Sequence, residues 1–192
     1  MAKISVVINT LNEEKFLKSC LDSVKWADEV IVCDMHSDDG SAKVAKDFGA
    51  KVVSHKRVSF VEPARNFAIS KATSDWVLVL DPDEEVGEKL AKRLQQIAEK
   101  MNQINFVRIP RKNLIFGKWM KAAMWWPDYN IRFFRKGSVN WTDEIHRPPK
   151  TGGLGIDLEP EEDLSIFHHH YDSISQFLDR LNRYTEIQAK EL

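Results

Sequence analysis

The run Asp81-Pro82-Asp83-Glu84-Glu85 directly follows five apolar residues, Trp76 to Leu80. Two carboxylates one residue apart at a strand end can share a divalent cation. Hard ions such as Mg²⁺ and Mn²⁺ take oxygen ligands and complete their shell with phosphate oxygens and water. An acidic turn opening a helix is equally ordinary, because carboxylates favour the positive end of the helix dipole. The spacing alone therefore decides nothing, but its position does. Two other polar clusters follow apolar runs in the same way: Thr10 to Glu13 after Ile4 to Ile8, and Asp34 after Glu29 to Cys33. His168-His169-His170 offers further metal donors, although adjacent histidines do not all reach one ion.

The elements that must position these residues alternate. Ile4 to Ile8, Glu29 to Cys33, Lys51 to Ser54 and Asp75 to Leu80 read as short strands. Between them lie helical patterns. The first has Phe16, Leu17, Cys20, Leu21 and Val24 on one face, and the T-x-x-E spacing of a capping box from Thr10 to Glu13. The second runs from Ser41 to Phe48 and stops at Gly49; the third starts near Pro63 and ends near Lys71. A long helix follows, with Leu90, Leu94, Ile97 and Met101 on one face. This order predicts an α/β fold with a mostly parallel sheet flanked by helices. Ligands of such sheets bind beyond the carboxyl ends of the strands, where all three polar clusters converge.

Residues 103–141 read as strands and loops, and 142–167 as loop with little regular structure. Ser173 opens a final helix, with Gln176 at capping-box spacing and Ile174, Phe177, Leu178 and Leu181 on an expected buried face. The whole of 1–192 reads as one domain. Its first half, 1–101, carries the phosphate-side clusters, and an irregular second half, 102–192, ends in the last helix.

Composition excludes several classes. With 43% hydrophobic and 30% charged residues, the chain is neither disordered nor low in complexity. A net charge of −1 gives no global basic excess, so nucleic acid is not an expected partner. Cys20 and Cys33 read as buried free thiols in a reducing compartment. No apolar run approaches the roughly 20 residues that span a bilayer. A cytoplasmic location is expected, with peripheral attachment to the inner face of a membrane left open.

In this setting the motifs resemble a known family. Ser5 to Glu14, with its T-x-N-E turn, resembles the first strand of a family 2 glycosyltransferase of the GT-A (Rossmann-like) fold. Val30 to Asp34 with Ser37-Asp38-Asp39-Gly40-Ser41 resembles that family's second strand and loop. Ala64-Arg65-Asn66 resembles its A-R-N segment, and Trp76 to Glu84 its W-x-L-x-L-D-x-D-E metal motif. Trp126-Pro127-Asp128-Tyr129 and Arg132-Phe133-Phe134-Arg135 resemble a stretch of the bacterial subset that includes lipopolysaccharide core glucosyltransferases. The tail from His168 to Thr185 resembles that subset's ending.

The resemblance implies an inverting, metal-dependent transfer from a nucleotide-sugar donor, a UDP-sugar favoured. The acceptor would be a hydroxyl of a glycan or lipid-linked molecule in lipopolysaccharide or other cell-surface polysaccharide assembly. It places Thr10, Asn12, Glu13, Asp34 and Arg65 around base and ribose. It places Asp81 at the ribose or donor sugar and beside the metal. It gives Asp83, with His168, to a Mg²⁺ or Mn²⁺ on the diphosphate. Trp125, Trp126, Asp128 and Arg132 fall on the acceptor side. Arg147 stands where the family pattern has its candidate base, so Glu144, Asp143 and His146 share that assignment. Two alternatives accompany this reading: a degenerate protein that binds nucleotide or glycan without turnover, and a haloacid-dehalogenase-type phosphohydrolase, which also places D-x-D after a strand.

Between Arg108 and Lys136 there are eight basic residues and one acid, Asp128, with Trp119, Trp125 and Trp126 among them. Such a patch suits sugar stacking or an anionic membrane interface. Alternatively, the tryptophans are core and the basic residues pair with the acidic stretch 157–163.

Overall fold

The computed structural model describes residues 2–58, 60–142 and 147–191. Strand β1 (Ile4–Thr10) is buried along its whole length. It pairs in parallel with β2 (Glu29–Asp34) and β4 (Trp76–Leu80), and β2 pairs in parallel with β3 (Lys51–Ser54). Helices α1 (Glu14–Ser23), α2 (Ser41–Phe48) and α3 (Glu62–Ser70) make the crossovers. Side chains alternate across a strand, so Val6 and Ile8 join one core while Val7 joins the other. The first core is closed by α1 and by α4 (Glu88–Lys100), whose Leu90, Leu94 and Ile97 are fully buried. Each such burial is worth about 1.5–3 kcal/mol. The second core lies under α3, with Ala68, Ile69 and Ala72 against Val77, Val79 and Phe134.

The second half extends the same sheet. After β5 (Glu84–Val86) and α4 come β6 (Ile104–Ile115), β7 (Lys118–Trp119), β8 (Asp128–Arg135), β9 (Val139–Asn140), β10 (Lys150–Thr151), β11 (Leu154–Asp157), β12 (Ile166–Tyr171) and α5 (Ile174–Glu191). The sheet order is β3-β2-β1-β4-β8-β6-β12-β5, with β7 and β11 also on β6; β9 and β10 form a separate pair. Strands β4, β6 and β12 run the same way, because β8 is antiparallel to both β4 and β6, and β12 is parallel to β6. The carboxyl ends of β1, β2, β4 and β12 therefore share one edge. The chain leaves β1 toward β3 and returns on the other side, so the switch in direction lies between β1 and β4. That crevice is where open α/β sheets take their ligands.

Three expectations are corrected. The Thr10–Glu13 capping box does not form: Thr10 ends β1, and no side chain of its own segment caps α1. The caps come from the neighbouring loop, where Ser41 Oγ accepts from Glu13 N and Asp39 Oδ2 from Glu14 N, both at 3.0 Å. Residues 142–167 are more regular than expected, with β10, β11, a 3-10 turn at Glu162–Leu164 and the start of β12. The apolar face of α5 is not buried: Ile174 is 67% exposed, and Phe177, Leu178 and Leu181 are 37–48% exposed. Only the Ser173–Gln176 start of that helix follows its sequence, with Gln176 N donating to Ser173 Oγ at 3.2 Å.

A buried ionic network joins the two halves. Glu84 is fully buried. Its Oε1 accepts from Arg132 at 2.6 Å and from Arg111 at 3.3 Å, and its Oε2 from the Asp81 N–H at 2.9 Å. Arg132 also donates to Asp81 Oδ2 at 2.5 Å, and Arg65 to Asp81 Oδ1 at 2.7 Å. Truncating one member of a buried ion pair strands its partner, at a cost of about 3–5 kcal/mol. Arg132→Met is expected to lower unfolding stability by about that amount, read as a reduced midpoint in urea denaturation at pH 7.

Candidate active site

A cavity of about 700 Å³ opens at the edge of the sheet beside β1 and β4. Six of the residues expected at the site line it: Glu13, Arg65, Asp81, Asp83, Arg132 and His168. Thr10, Asn12, Asp34, Trp125, Trp126 and Asp128 are not part of the lining. Asp143, Glu144 and His146 lie outside the described residues. The lining holds six arginines (Arg65, Arg108, Arg111, Arg132, Arg147, Arg180) and four carboxylates (Glu13, Glu62, Asp81, Asp83), and Arg108, Arg111 and Arg132 are also paired with Asp157, Asp128 and Glu84 outside the lining.

The two aspartates of the D-x-D run are not equivalent. Burial pushes the Asp81 carboxyl up, but Arg132 and Arg65 outweigh it and hold it well below the usual carboxylate range. Both Asp81 oxygens already hold a guanidinium, which makes this residue first a brace for the turn. Asp83 is also buried and lowered; burial opposes the shift, and His168 overcomes it. Its Oδ2 lies 3.7 Å from His168 Nε2 and 3.4 Å from Arg180 Nη2.

The orientation of His168 follows from its neighbours. Asn113 Nδ2 donates to Asp128 Oδ2 at 3.0 Å, so Asn113 presents Oδ1 to the ring. His168 Nδ1 lies 2.6 Å from that oxygen and must donate to it. In its neutral form such a ring has its lone pair on Nε2, which lies 3.7 Å from Asp83 Oδ2 and 3.3 Å from His170 Nδ1, the arrangement a metal-ligating imidazole requires. Strand alternation separates the three histidines. His168 and His170 share a face with rings 4.6 Å apart, while His169 turns away to Glu85 at 3.0 Å. Burial, with the charges of His168 and Arg180, brings the His170 ring down to about 3, so it is neutral at pH 7.

Among the described residues, no three His, Cys, Asp or Glu side chains converge on one point that could hold an ion. Asp83 and His168 offer two donors facing the cavity, one oxygen and one imidazole nitrogen. That set fits an ion completed by phosphate oxygens and water, and does not make a closed protein cage.

The other expected residues support the walls. Asn12 is exposed in a left-handed conformation (φ 57°) and clamps two loops: its N–H donates to Ser37 Oγ at 3.0 Å, and its Oδ1 accepts from Asp38 N at 2.7 Å. Thr10 is buried, pairs in register with Asp34, and has no partner for Oγ1 among the described residues. Both oxygens of Asp34 face the Ser37 N–H at 3.3 Å. Asp128 sits on Arg111 at 2.7 Å; Arg111 and Asn113 keep it below the usual range despite burial. Trp125 packs on His170 at 5.2 Å, and Trp126 meets Trp119 edge-on at 4.9 Å. Part of the basic middle is paired with the acidic stretch, as Arg108 with Asp157 at 2.5 Å and Lys112 with Glu162. Sequence reasoning missed Asn113, Arg111, Arg180 and Asn9. The one signal for Asn9 was a polar residue directly after the run Ile4 to Ile8.

Comparison with known proteins adds the family. Residues 5–152, more than half of the chain, match the family model of glycosyl transferase family 2. This chain belongs to that family. A glycosyltransferase of Rickettsia typhi, named as uncharacterized, is 31% identical over all of this chain and 68% of its own length. The lipopolysaccharide core biosynthesis glycosyltransferase LpsC of Rhizobium meliloti is 25% identical, over 74% of this chain and 55% of that one. Glucosyl-3-phosphoglycerate synthase of Mycobacterium tuberculosis, crystallised with Mn²⁺, uridine diphosphate and glucosyl-3-phosphoglycerate, superposes with a TM-score of 0.51 at 27% identity. That match covers 57% of this chain and 44% of the synthase, so the glycosyltransferase family member described here spans under half the length of that structure. The family 2 fold is the GT-A type expected, and the phosphohydrolase alternative falls away.

The depressed carboxylates set an acid limit. A group whose folded pKa lies below its unfolded value contributes stability fully above the unfolded value, about 3.9 for Asp. That contribution is lost as pH falls through the folded value. Melting temperatures between pH 7 and pH 2.5 are expected to fall steeply below about pH 4. Asp128→Asn is expected to melt lower at pH 7 and to show a shallower acid slope.

Proposed function

We propose that this chain carries out an inverting glycosyl transfer from a UDP-sugar to a hydroxyl of a glycan or lipid-linked acceptor, in lipopolysaccharide or other cell-surface polysaccharide assembly. The observation that carries the reading is the pairing of Asp83 with His168 at the mouth of an arginine-lined cavity, on the edge where the sheet reverses direction. The synthase with a similar fold was crystallised with Mn²⁺ and UDP, and LpsC is named for lipopolysaccharide core biosynthesis; both support the donor and acceptor classes.

Asp83 and His168 would hold a Mg²⁺ or Mn²⁺ on the donor diphosphate. When bound, the ion supplies Lewis-acid stabilisation of the leaving nucleoside diphosphate. The chain's own residues do the rest. Arg180 stands 3.4 Å from Asp83 and faces the same charge. Arg65 and Arg132 fix the Asp81 turn, so Asp83 keeps its aim without a flexible loop. The acceptor hydroxyl oxygen attacks the anomeric carbon opposite the diphosphate; the new C–O bond forms as the bond to phosphate oxygen breaks. The hydroxyl proton passes to a carboxylate or imidazole of the 143–146 segment: Glu144, Asp143 or His146. Trp125 and Trp126, near the cavity, serve the acceptor side.

A binding-only reading has one specific support. Arg147 lines the cavity where the family pattern carries its base. UDP binding without donor hydrolysis or transfer would favour it.

Among the described residues no helix is long and apolar enough to cross a membrane. A peripheral contact is supported by the loop between β7 and β8. There Met124 is 94% exposed, and Lys121 lies 3.9 Å over the Trp119 ring. We assign that loop to the cytoplasmic face of an anionic membrane.

Asp83→Ala is expected to fold, to melt lower than wild type because a buried, paired carboxylate is removed, and to lose the Mn²⁺-dependent part of UDP binding in calorimetry at a temperature where it stays folded. Metal-dependent binding equal to wild type would sink the site. Wild-type protein is expected to pellet with vesicles containing anionic lipid, and the Trp119→Ala, Lys121→Glu double variant to stay in the supernatant. Failure of the wild type to pellet would end the membrane assignment.

A further inference from the structure

The cavity wall beyond β8 is held by a side chain that has no part in the steps above. Strands β9 and β10 pair antiparallel, Asn140 opposite Lys150 and Val139 opposite Thr151, and Gly152 N donates to Ser138 O at 2.8 Å. The two ends of the stretch between them, Trp141 on one side and Arg147-Pro148-Pro149 on the other, both line the cavity. Strand pairing ends at Asn140, so the backbone of Trp141 needs partners from elsewhere. Asn66 on α3 supplies both. Its Nδ2 donates to Trp141 O at 2.8 Å, and its Oδ1 accepts from Trp141 N at 3.0 Å.

Satisfying both peptide groups of one residue is a specific demand. A side-chain amide carries a donor and an acceptor on neighbouring atoms, whereas a carboxylate only accepts and an ammonium or guanidinium only donates. One hydrogen bond leaves a peptide group free to pivot, while two from a single planar amide fix its orientation. The contact spans 75 residues of sequence and joins α3 to the chain just after β9. The Trp141 ring is 7% exposed and packs on Phe134 at 5.5 Å, so the far side of the clamp is seated in the core. Asn66 itself is not part of the lining. It acts on the cavity only through Trp141, which stands two residues before the 143–146 segment.

We propose that Asn66 is a positioning residue of the transfer: by fixing the Trp141 peptide groups it sets the path of the chain into the segment that takes the acceptor proton. The proposal rests on the proton-transfer role given above to Asp143, Glu144 or His146. A general base works only within hydrogen-bond reach of the proton it takes, and a displacement of about 1 Å can cost about a hundredfold in rate. Donor binding draws on other residues, Asp83 and His168 among them. Loosening the clamp therefore slows turnover and spares affinity.

Asn66→Ala and Asn66→Asp test this. Asn66→Asp keeps an acceptor for Trp141 N but sets an oxygen against Trp141 O, and protonation in acid restores the missing donor. UDP binding with Mn²⁺ is measured by calorimetry. Turnover is measured between pH 5.5 and pH 8.5 as hydrolysis of whichever of UDP-glucose, UDP-galactose and UDP-N-acetylglucosamine the wild type cleaves fastest, with water in place of the acceptor hydroxyl. In Asn66→Ala, kcat is expected to fall about tenfold to a hundredfold, with KM and UDP affinity unchanged. In Asn66→Asp, kcat relative to wild type is expected to be low at pH 8.5 and to rise toward pH 5.5. A merely structural asparagine would give neither the split nor the rescue. Unchanged kcat, parallel loss of kcat and UDP affinity, or a relative rate of Asn66→Asp that stays flat with pH overturns the proposal. If Asn66→Ala does not fold, Asn66→Asp carries the same readings. Wild-type protein that binds no UDP, or that binds it and hydrolyses none of the three donors, defeats the functional reading itself, before any variant is made.

Discussion

A carboxylate sealed from water must be neutralised from inside the protein, and Glu84 imposes that demand on the whole site. Its two oxygens are shared among Arg132, Arg111 and the Asp81 N–H. Those donors come from β8, β6 and the turn after β4, so satisfying one buried charge fixes where two halves of the chain meet. Breaking any strut leaves a charge stranded in a medium that cannot screen it. The network spends both oxygens of Asp81 on arginines and leaves Asp83 to face the cavity. The D-x-D run thus divides its labour, with Asp81 holding the turn and Asp83 facing the cavity.

The same logic reaches outward. Arg111 fixes Asp128, Asp128 fixes the Asn113 amide, and Asn113 sets which nitrogen of His168 keeps its lone pair. A chain of hydrogen bonds across β8, β6 and β12 therefore chooses a tautomer. Such outer contacts orient a metal ligand and raise its basicity. The two loops at the other end are joined in a comparable way, since Ser41 and Asp39 finish the first turn of α1.

Much of this was legible in the residues. The apolar runs ending at Ile8, Cys33 and Leu80 announced parallel strands, and the polar residues just beyond them marked the shared edge. Glu13, Arg65, Asp81 and Asp83 were readable because they sit where strands hand over to helices. The Glu84 network was not readable, because its partners lie 27 and 48 residues away and only the folded sheet brings them together. The T-x-x-E spacing misled for a related reason: the better caps came from a distant loop. Periodicity gave α5 an apolar face but could not say what, if anything, covers it. Asn9 looked like a polar residue near the end of a strand, and only the fold shows that neither amide atom has a partner among the described residues.

Strand β12 is inserted between β5 and β6, although it follows them by some fifty residues or more of chain. Its His168 joins the cavity wall only when that strand is in place. A ribosome would therefore release the first four strands and α4 long before the pocket could close, and the nascent chain would wait with the edges of β5 and β6 unpaired. Loop closure over that distance is slow compared with local helix formation. An unpaired strand edge is a template for pairing with another chain, so the late strand β12 is also what shields β5 and β6.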